Sequence, residues 1–298
     1  MEPGGNSRRR AVSVIAFVRI IFYRGTSRRA GIIGDAVLSG LRHHGLSADV
    51  VDAQQYTAPD ADVAVFYGLA GNLKRLQREY IAAGLKTVFL DLGYWGRLED
   101  GKVSGFHRVV VNGLHATEYF QRVKHGPDRF RHFGIQPQPF KRGGGPVLLC
   151  GMSEKAAWVY DMSPEEWERD AVRRLSAVTR REIQYRPKPT WREATDIPGS
   201  TRVVATTTIK RALRDAWACV THHGNTALDA LMLGVPAFCV DGIASALACA
   251  DLTQIESPLY PDEGARDQLL FDAAYTQWKV REIVDGKMWT YLRDEALI

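Results

Sequence analysis

What the chain lacks narrows its function first. Its four cysteines, Cys150, Cys219, Cys239 and Cys249, form no Cys-x-x-Cys pair and show none of the Cys/His spacings of a zinc site. Each stands in an apolar stretch, as in Pro146-Val-Leu-Leu-Cys150, and reads as a buried free thiol. That argues against a disulfide-stapled secreted domain and for a reducing, cytoplasmic setting. No stretch approaches the roughly 18 uninterrupted apolar residues of a membrane span. Arg8-Arg9-Arg10 followed by the apolar run Ala11 to Val18 imitates the front of a signal peptide, but Arg19 breaks the run and no small-residue cleavage site follows. A first core strand is the better reading. Charge is not extreme either: 39 Lys plus Arg face 34 Asp plus Glu, a net charge of +5, which tolerates a polyanionic partner without requiring one. Hydrophobic residues at 45% and charged residues at 24% exclude disordered, collagen-like and coiled-coil chains. A length of 298 residues suffices for one large or two medium domains.

What is present is an alternation of β-branched runs and helical periods. After a basic lead-in over residues 1 to 10, strands are expected at Val12 to Phe22, Ala48 to Val51, Val63 to Tyr67, Thr87 to Leu92 and Arg108 to Val111. Helices are expected at Ile32 to His44 and Asn72 to Ala83. Gly134 to Pro146 packs three prolines and four glycines into a linker. Beyond it the spacing predicts strands at Val147 to Cys150, Glu182 to Arg186, Cys219 to Thr221 and Ala237 to Val240, with helices at Pro164 to Val178, Ile209 to Asp215 and Thr226 to Leu233. Such alternation implies parallel strands with helices on both faces. The fold class is therefore α/β, with two Rossmann-like doubly wound domains, residues 1–140 and 146–298, facing a cleft. No sequence repeat relates the halves. Ligands in such sheets bind beyond the carboxyl ends of the strands.

The sharpest constellation is Thr221-His222-His223-Gly224-Asn225-Thr226-Ala-Leu-Asp229, with Gly234 and Pro236 after it. A short apolar strand runs into a small-residue turn and then a helix, so unbonded amides at Asn225 and Thr226 and the positive end of the helix dipole would face an anion. His223 is suited to donate a further hydrogen bond and Asp229 to accept one from a ribose hydroxyl. The plainer reading makes Asn225 a helix cap and the histidines structural.

These residues resemble the C-terminal nucleotide-binding motif of GT-B-fold glycosyltransferases: His, Gly, Asn, Ser/Thr, an acidic residue, Ala-Leu and Gly-x-Pro, matched by His223, Gly224, Asn225, Thr226, Asp229, Ala230, Leu231, Gly234 and Pro236. Asp229 stands where Glu is commoner. The resemblance implies a nucleotide-sugar donor, a UDP-sugar foremost, bound by the second domain and an acceptor bound by the first. It also implies that the last helix, within Gln268 to Leu297, crosses back onto the first domain. Tyr185-Arg186-Pro187-Lys188-Pro189 is similar to the Arg-Pro-His-Pro motif of bacterial capsule glycosyltransferases, with Lys188 in place of His. Its prolines hold an extended loop, and Arg186 and Lys188 suit a leaving diphosphate, two cations standing in for a metal. Asp60-Ala61-Asp62 matches the metal-binding Asp-x-Asp of a different glycosyltransferase fold but precedes its strand, away from the expected cleft, so no metal is required.

Transfer to a hydroxyl with inversion needs a general base. Asp91, at the carboxyl end of Thr87-Val-Phe-Leu-Asp91 and followed by Gly93-Tyr94-Trp95-Gly96-Arg97, is the first candidate; Asp35, at the first strand-to-helix turn, is the rival. Tyr94 and Trp95 are placed to stack on a sugar or base and Arg97 to hold an anion; His107 and His115 are weaker candidates. Residues 1–44 hold eight arginines against Glu2 and Asp35, and residues 119–142 add Arg122, Lys124, Arg129, Arg131, Lys141 and Arg142 against Asp128. A cationic face of this kind suits double-stranded DNA, and in this respect the chain is similar to bacteriophage glycosyltransferases that modify hydroxymethylated pyrimidines. The favoured acceptor is thus hydroxymethylated DNA, with a flipped base beside Asp91. A bacterial surface polysaccharide, nucleotide-sugar 2-epimerisation and non-catalytic nucleic-acid binding stay open.

Overall fold

The computed structural model describes residues 18–97, 99, 103–116, 123–204, 206–295 and 298. Arg8 to Arg10, Arg122 and the first part of the strand expected from Val12 lie outside the described residues.

In chain order the elements are β1 (Ile20–Arg24), α1 (Arg28–Arg42), β2 (Asp49–Asp52), β3 (Val63–Tyr67), α2 (Leu73–Ala82), β4 (Lys86–Leu92), β5 (Phe106–Val111) and α3 (Asp128–Arg131). Then follow β6 (Val147–Cys150), α4 (Glu154–Val159), α5 (Glu166–Val178), β7 (Ile183–Arg186), β8 (Thr201–Arg202), α6 (Ile209–Arg214), β9 (Ala218–Thr221), α7 (Asn225–Met232) and β10 (Ala237–Cys239). The chain closes with α8 (Glu263–Tyr275), β11 (Gln277–Lys279), α9 (Val280–Val284) and α10 (Lys287–Asp294).

Two mainly parallel sheets result. The first runs β11-β5-β4-β3-β1-β2 and the second β10-β9-β6-β7-β8. The central strands of each are apolar throughout, as β3 with five buried residues and β6 with four, because helices cover both faces and no side of the strand meets water. This is the doubly wound α/β arrangement of two Rossmann-like sheets, the GT-B type of fold.

The first sheet departs from the all-parallel expectation at its edge. β5 is antiparallel to β4, with Asp91 opposite Arg108 and Leu92 opposite His107, and β11 is antiparallel to β5. Apolar runs announce strands but carry no sign of direction. Helix α1 begins at Arg28, four residues before the expected Ile32, because the Ser27 side chain caps the Ala30 amide at 3.1 Å and the first turn, Arg28-Arg29, is too polar to register as apolar periodicity. In the second sheet the expected strands and helices lie within two residues of those observed.

The expected C-terminal helical stretch is divided. The chain leaves α8, adds β11 to the edge of the first sheet, and lays α9 and α10 against α1. Arg129 ties α3 to this segment by two bonds to the Glu282 carboxylate, at 2.9 and 3.0 Å, and lies over the Trp278 ring at 4.3 Å. Residues 134–146 hold no helix or strand; the Gln138 and Lys141 amides donate to the carbonyls of Met232 and Gly234, both at 2.8 Å. The linker is thereby seated on the end of α7.

The contact of α1 with α9 depends on the absence of a side chain. A Cβ on Gly40 would stand 2.2 Å from the Ile283 carbonyl oxygen, whereas one on Gly31 would meet nothing within 4 Å. Gly40→Ala is expected to destabilise the protein by about 1–3 kcal/mol. Gly31→Ala is expected to be neutral or stabilising by up to about 1 kcal/mol through helix propensity. Urea unfolding of the two variants checks the contrast; equal stabilities would mean that α9 does not press on α1.

Candidate active site

The carboxyl edges of the two sheets meet around a cavity of about 190 Å3. Gly68, Leu69, Asp91, Arg108, Leu114 and His115 line it from the first half, and Ser153, Lys155, Ala156, Tyr160 and His223 from the second.

Asp91 stands at the end of β4. One carboxylate oxygen accepts from the Leu92 amide at 2.8 Å and the other from Arg108 at 3.2 Å. The antiparallel register of β5 is what brings that guanidinium opposite the carboxylate. Arg108 itself lies over the Phe89 and Tyr94 rings, at 5.6 and 5.8 Å. Tyr94 and Trp95 are buried, 5% and 8% exposed, and Gln277 of β11 receives both their amides. They support the loop from within and do not present a stacking surface to the cleft. Arg97 donates to the Gly93 carbonyl at 2.5 Å; burial lowers its pKa, opposed by the Asp229 carboxylate across the cleft.

Asp35 belongs elsewhere. It lies well inside α1, is 71% exposed at the side chain and pairs with Arg24 at 2.8 Å. The early start of α1 moves it out of the strand-to-helix turn, and it does not line the cavity. Asp60 and Asp62 hold Arg19, at 2.8 and 2.7 Å, before β3 and so at the amino ends of the strands.

On the opposite wall, Gly224 is the N-cap of α7, and Asn225 is its first residue. Gly224 contributes no capping side chain, and a Cβ there would stand 2.8 Å from the Thr221 hydroxyl. Among the described residues the amides of Asn225 and Thr226 make no hydrogen bond, and Ala227 donates only to Gly224. Arg186, at the end of β7, and Lys188, in the extended loop after it, have no ion-pair partner among the described residues. Desolvation lowers the Lys188 pKa, and the neighbouring Arg97 and Arg108 charges lower it further.

The two histidines separate. His222 is 4% exposed and packs edge-on against Tyr160 and Trp167, at 4.5 and 5.7 Å. His223 turns into the cavity and lies 4.6 Å from the Tyr160 ring. Burial, then His222 and Lys188, push its pKa down to about 3, so it is neutral at pH 7. Asp229, on α7, moves the other way: burial raises its pKa to about 6, against the pull of Arg97 and Lys210.

Sequence reasoning missed Arg108, Lys155, Tyr160 and Asp241. Tyr160 donates to Asp241 at 2.7 Å and lies 3.5 Å from the His115 ring, so these three side chains span the two halves. Asp241 follows β10 and precedes Gly242, the strand-end signal that singled out Asp91, and was readable on those grounds. Arg108 required knowledge of strand direction, and Tyr160 of how the halves meet.

Solved structures are similar to this chain over most of its length. The β-Kdo 2,4 transferase of Thermosulfurimonas dismutans KpsC superposes with a TM-score of 0.51 at 10% identity, over 90% of this chain and 98% of that one. The β-Kdo 2,7 transferase of the same organism's KpsC gives 0.48 at 10% identity, over 92% and 99%. The Methanocaldococcus jannaschii UDP-GlcNAc 2-epimerase gives 0.29 at 9%, over 93% and 99%. No family model matches the chain, and no curated protein matches it. At such identity the first likeness speaks for the fold alone.

Asp229 supplies a test of the electrostatics. Its folded pKa lies above the ordinary 3.8, so protonation favours the folded state: that contribution is complete below about pH 4 and is lost as pH rises through about 6. Asp229→Asn removes the titration. The variant is expected to exceed the wild type in stability by about 1–3 kcal/mol at pH 8, with the gap shrinking toward pH 4. Urea unfolding across this range reads it, and a gap that does not change with pH would refute the buried carboxylate.

Proposed function

We propose that this protein is a glycosyltransferase that moves a sugar from a nucleoside diphosphate carrier, a UDP-sugar foremost, to a hydroxyl acceptor with inversion. The observation that carries the reading is the pair of amides at Asn225 and Thr226, unbonded among the described residues, standing with Arg186 and Lys188 at the carboxyl edge of one sheet while Asp91 stands at the carboxyl edge of the other. In this reading the amides and the helix dipole receive the phosphates, Arg186 and Lys188 stabilise the charge that grows on the leaving diphosphate, and neutral His223 donates one further bond. His222 acts from behind by holding His223, and Asp229 accepts from the ribose. Asp91, oriented by Arg108, takes the acceptor proton as the new bond forms at the anomeric carbon and the bond to the diphosphate breaks. The fold shared with the KpsC transferase domain fits this use of the cleft.

A glycan hydroxyl fits the acceptor side better than duplex DNA. Several arginines of the basic stretches are engaged within the chain: Arg19 with Asp60, Arg24 with Asp35, Arg129 with Glu282, and Arg142 over Tyr260 at 5.1 Å. Fewer cations are left for a phosphate backbone than the arginine count suggested.

A panel of uridine, guanosine, thymidine and cytidine nucleotide sugars tests the donor site by thermal shift. A true donor at a hundred times its dissociation constant adds about 2.7 kcal/mol of stability. Arg186→Ala with His223→Ala is expected to abolish the shift while the protein stays folded; a retained shift would place the donor elsewhere. Asp91→Asn is expected to keep the shift and lose transfer by at least about a hundredfold. Transfer that survives this substitution would remove Asp91 as the base. Conversion of the sugar with no acceptor present would indicate an epimerase.

A further inference from the structure

The cavity that holds Asp91 and His223 is too small for the reaction just proposed. At about 190 Å3 it falls below the roughly 300–1,000 Å3 of ordinary ligand pockets, whereas transfer requires an acceptor and a donated sugar to stand there together. One wall must therefore give way. Phe89, Asp91 and Arg108 belong to interior strands, and the Gly68 amide is bonded to the Leu90 carbonyl at 2.9 Å. The loop of Leu114 and His115 is pinned to α2 by Gln77, which donates to the Gly113 carbonyl at 2.8 Å. The remaining wall differs. Ser153, Lys155, Ala156, Val159 and Tyr160 come from α4 and its ends, and within α4 only Ala157 is buried while Trp158 is 44% exposed. Polar contacts hold this segment in place of a core. Both of its roots are fastened to α5, where Glu168 receives the Met152 amide at 2.6 Å and Glu166 the Ser163 amide at 2.8 Å. Between the roots, the end of α4 is tied across to the first half. Lys74 of α2 donates to the Trp158 carbonyl and to Asp161, both at 2.5 Å, and Arg78 donates to the Val159 carbonyl at 3.1 Å and to Asp161 at 2.6 Å. Bonds from Arg78, then Lys74, lower the Asp161 pKa to about 2, so the carboxylate is charged at pH 7. The Arg78 and Asp161 side chains are 55% and 61% exposed, so salt reaches the pair. With this end seated, the Tyr160 ring lies 4.6 Å from that of His223 and its hydroxyl donates to Asp241.

We infer that residues 153–161 form a lid over the transfer cavity, opened to admit the acceptor and fastened for transfer by an ionic latch between Asp161 and the pair Lys74 and Arg78. What the cavity must hold rests on the proposed transferase; the lid and its latch are read from the fold. A helix of six residues does not persist away from its seat, so each opening frees the amides of Ala157, Tyr160 and Met162, which are bonded within the segment.

Hydrogen exchange of those three amides reads the lid without any substrate. Asp161→Asn removes the charge and still tolerates the left-handed turn that Asp161 makes, with φ at 57°. Exchange is expected to be about tenfold faster in this variant than in the wild type, while the amides of β6 keep their rates. Added salt is expected to speed exchange of the three amides in the wild type and to have no such effect in the variant. Equal exchange in the two proteins, or a wild type indifferent to salt, would make α4 a fixed wall and overturn the inference. A locked form ties the lid to turnover. Arg78→Cys with Asp161→Cys, joined by a thiol cross-linker that a reductant cleaves, is expected to transfer sugar to the methyl glycosides of glucose, galactose and mannose about tenfold more slowly than after reduction, with the wild type unaffected by the same treatment. Equal rates in the locked and released forms would overturn the lid. A protein whose three amides exchange as expected, yet which transfers no sugar from any nucleotide sugar, would instead strike the proposed transferase function and leave the lid standing.

Discussion

A helix leaves its first amides without partners in its own backbone, and something else must satisfy them. In α7 the usual remedy, a capping side chain, is missing because the cap is Gly224. Glycine is required there by the Thr221 hydroxyl close behind it. The tight turn from β9 into α7 therefore exposes two amides at the edge of the second sheet, where the dipole favours negative charge. The rest of the cleft is consistent with that demand. Arg186 and Lys188 sit on the neighbouring strand and loop, Arg97 faces them from the other half, and the nearby histidines are neutral.

Such an arrangement costs stability when the cleft is empty. Lys188 stands among like charges, Asp229 is a carboxylate held where burial resists its ionisation, and Nδ1 of His115 has no partner among the described residues. The cost is tolerable because the halves are held by other means. Lys74 and Arg78 of α2 meet Asp161 at 2.5 and 2.6 Å, and the C-terminal segment fastens itself to the first sheet through β11, Glu282 and the close approach of Gly40 to Ile283. Strain concentrated in a cleft and offset in the scaffold is what a ligand site built for an anion would show.

Much of this was legible in the residues. Apolar runs located the central strands of both sheets because buried parallel strands have no polar face to confuse the pattern, and Gly224, Asn225, Thr226, Gly234 and Pro236 marked a strand, a turn and a helix by local chemistry alone. What the sequence could not convey was direction and company. The reversal of β5, which places Arg108 on Asp91, follows from tertiary packing. The first turn of α1 hid behind two arginines and so misplaced Asp35. Tyr94 and Trp95 looked like stacking surfaces, yet Gln277, far along the chain, turns their loop inward. The Asp241, Tyr160 and His115 cluster draws on both halves, so no local window contains it.

The central claim is that the amides at the start of α7 grip the phosphates of a sugar carrier. A crystal structure with a bound nucleoside diphosphate, beginning with uridine diphosphate, examines it most directly. The account predicts phosphate oxygens within hydrogen-bond distance of the Asn225 and Thr226 amides, with Arg186 or Lys188 beside them. A diphosphate bound elsewhere in the protein, with those two amides left to water, would contradict it.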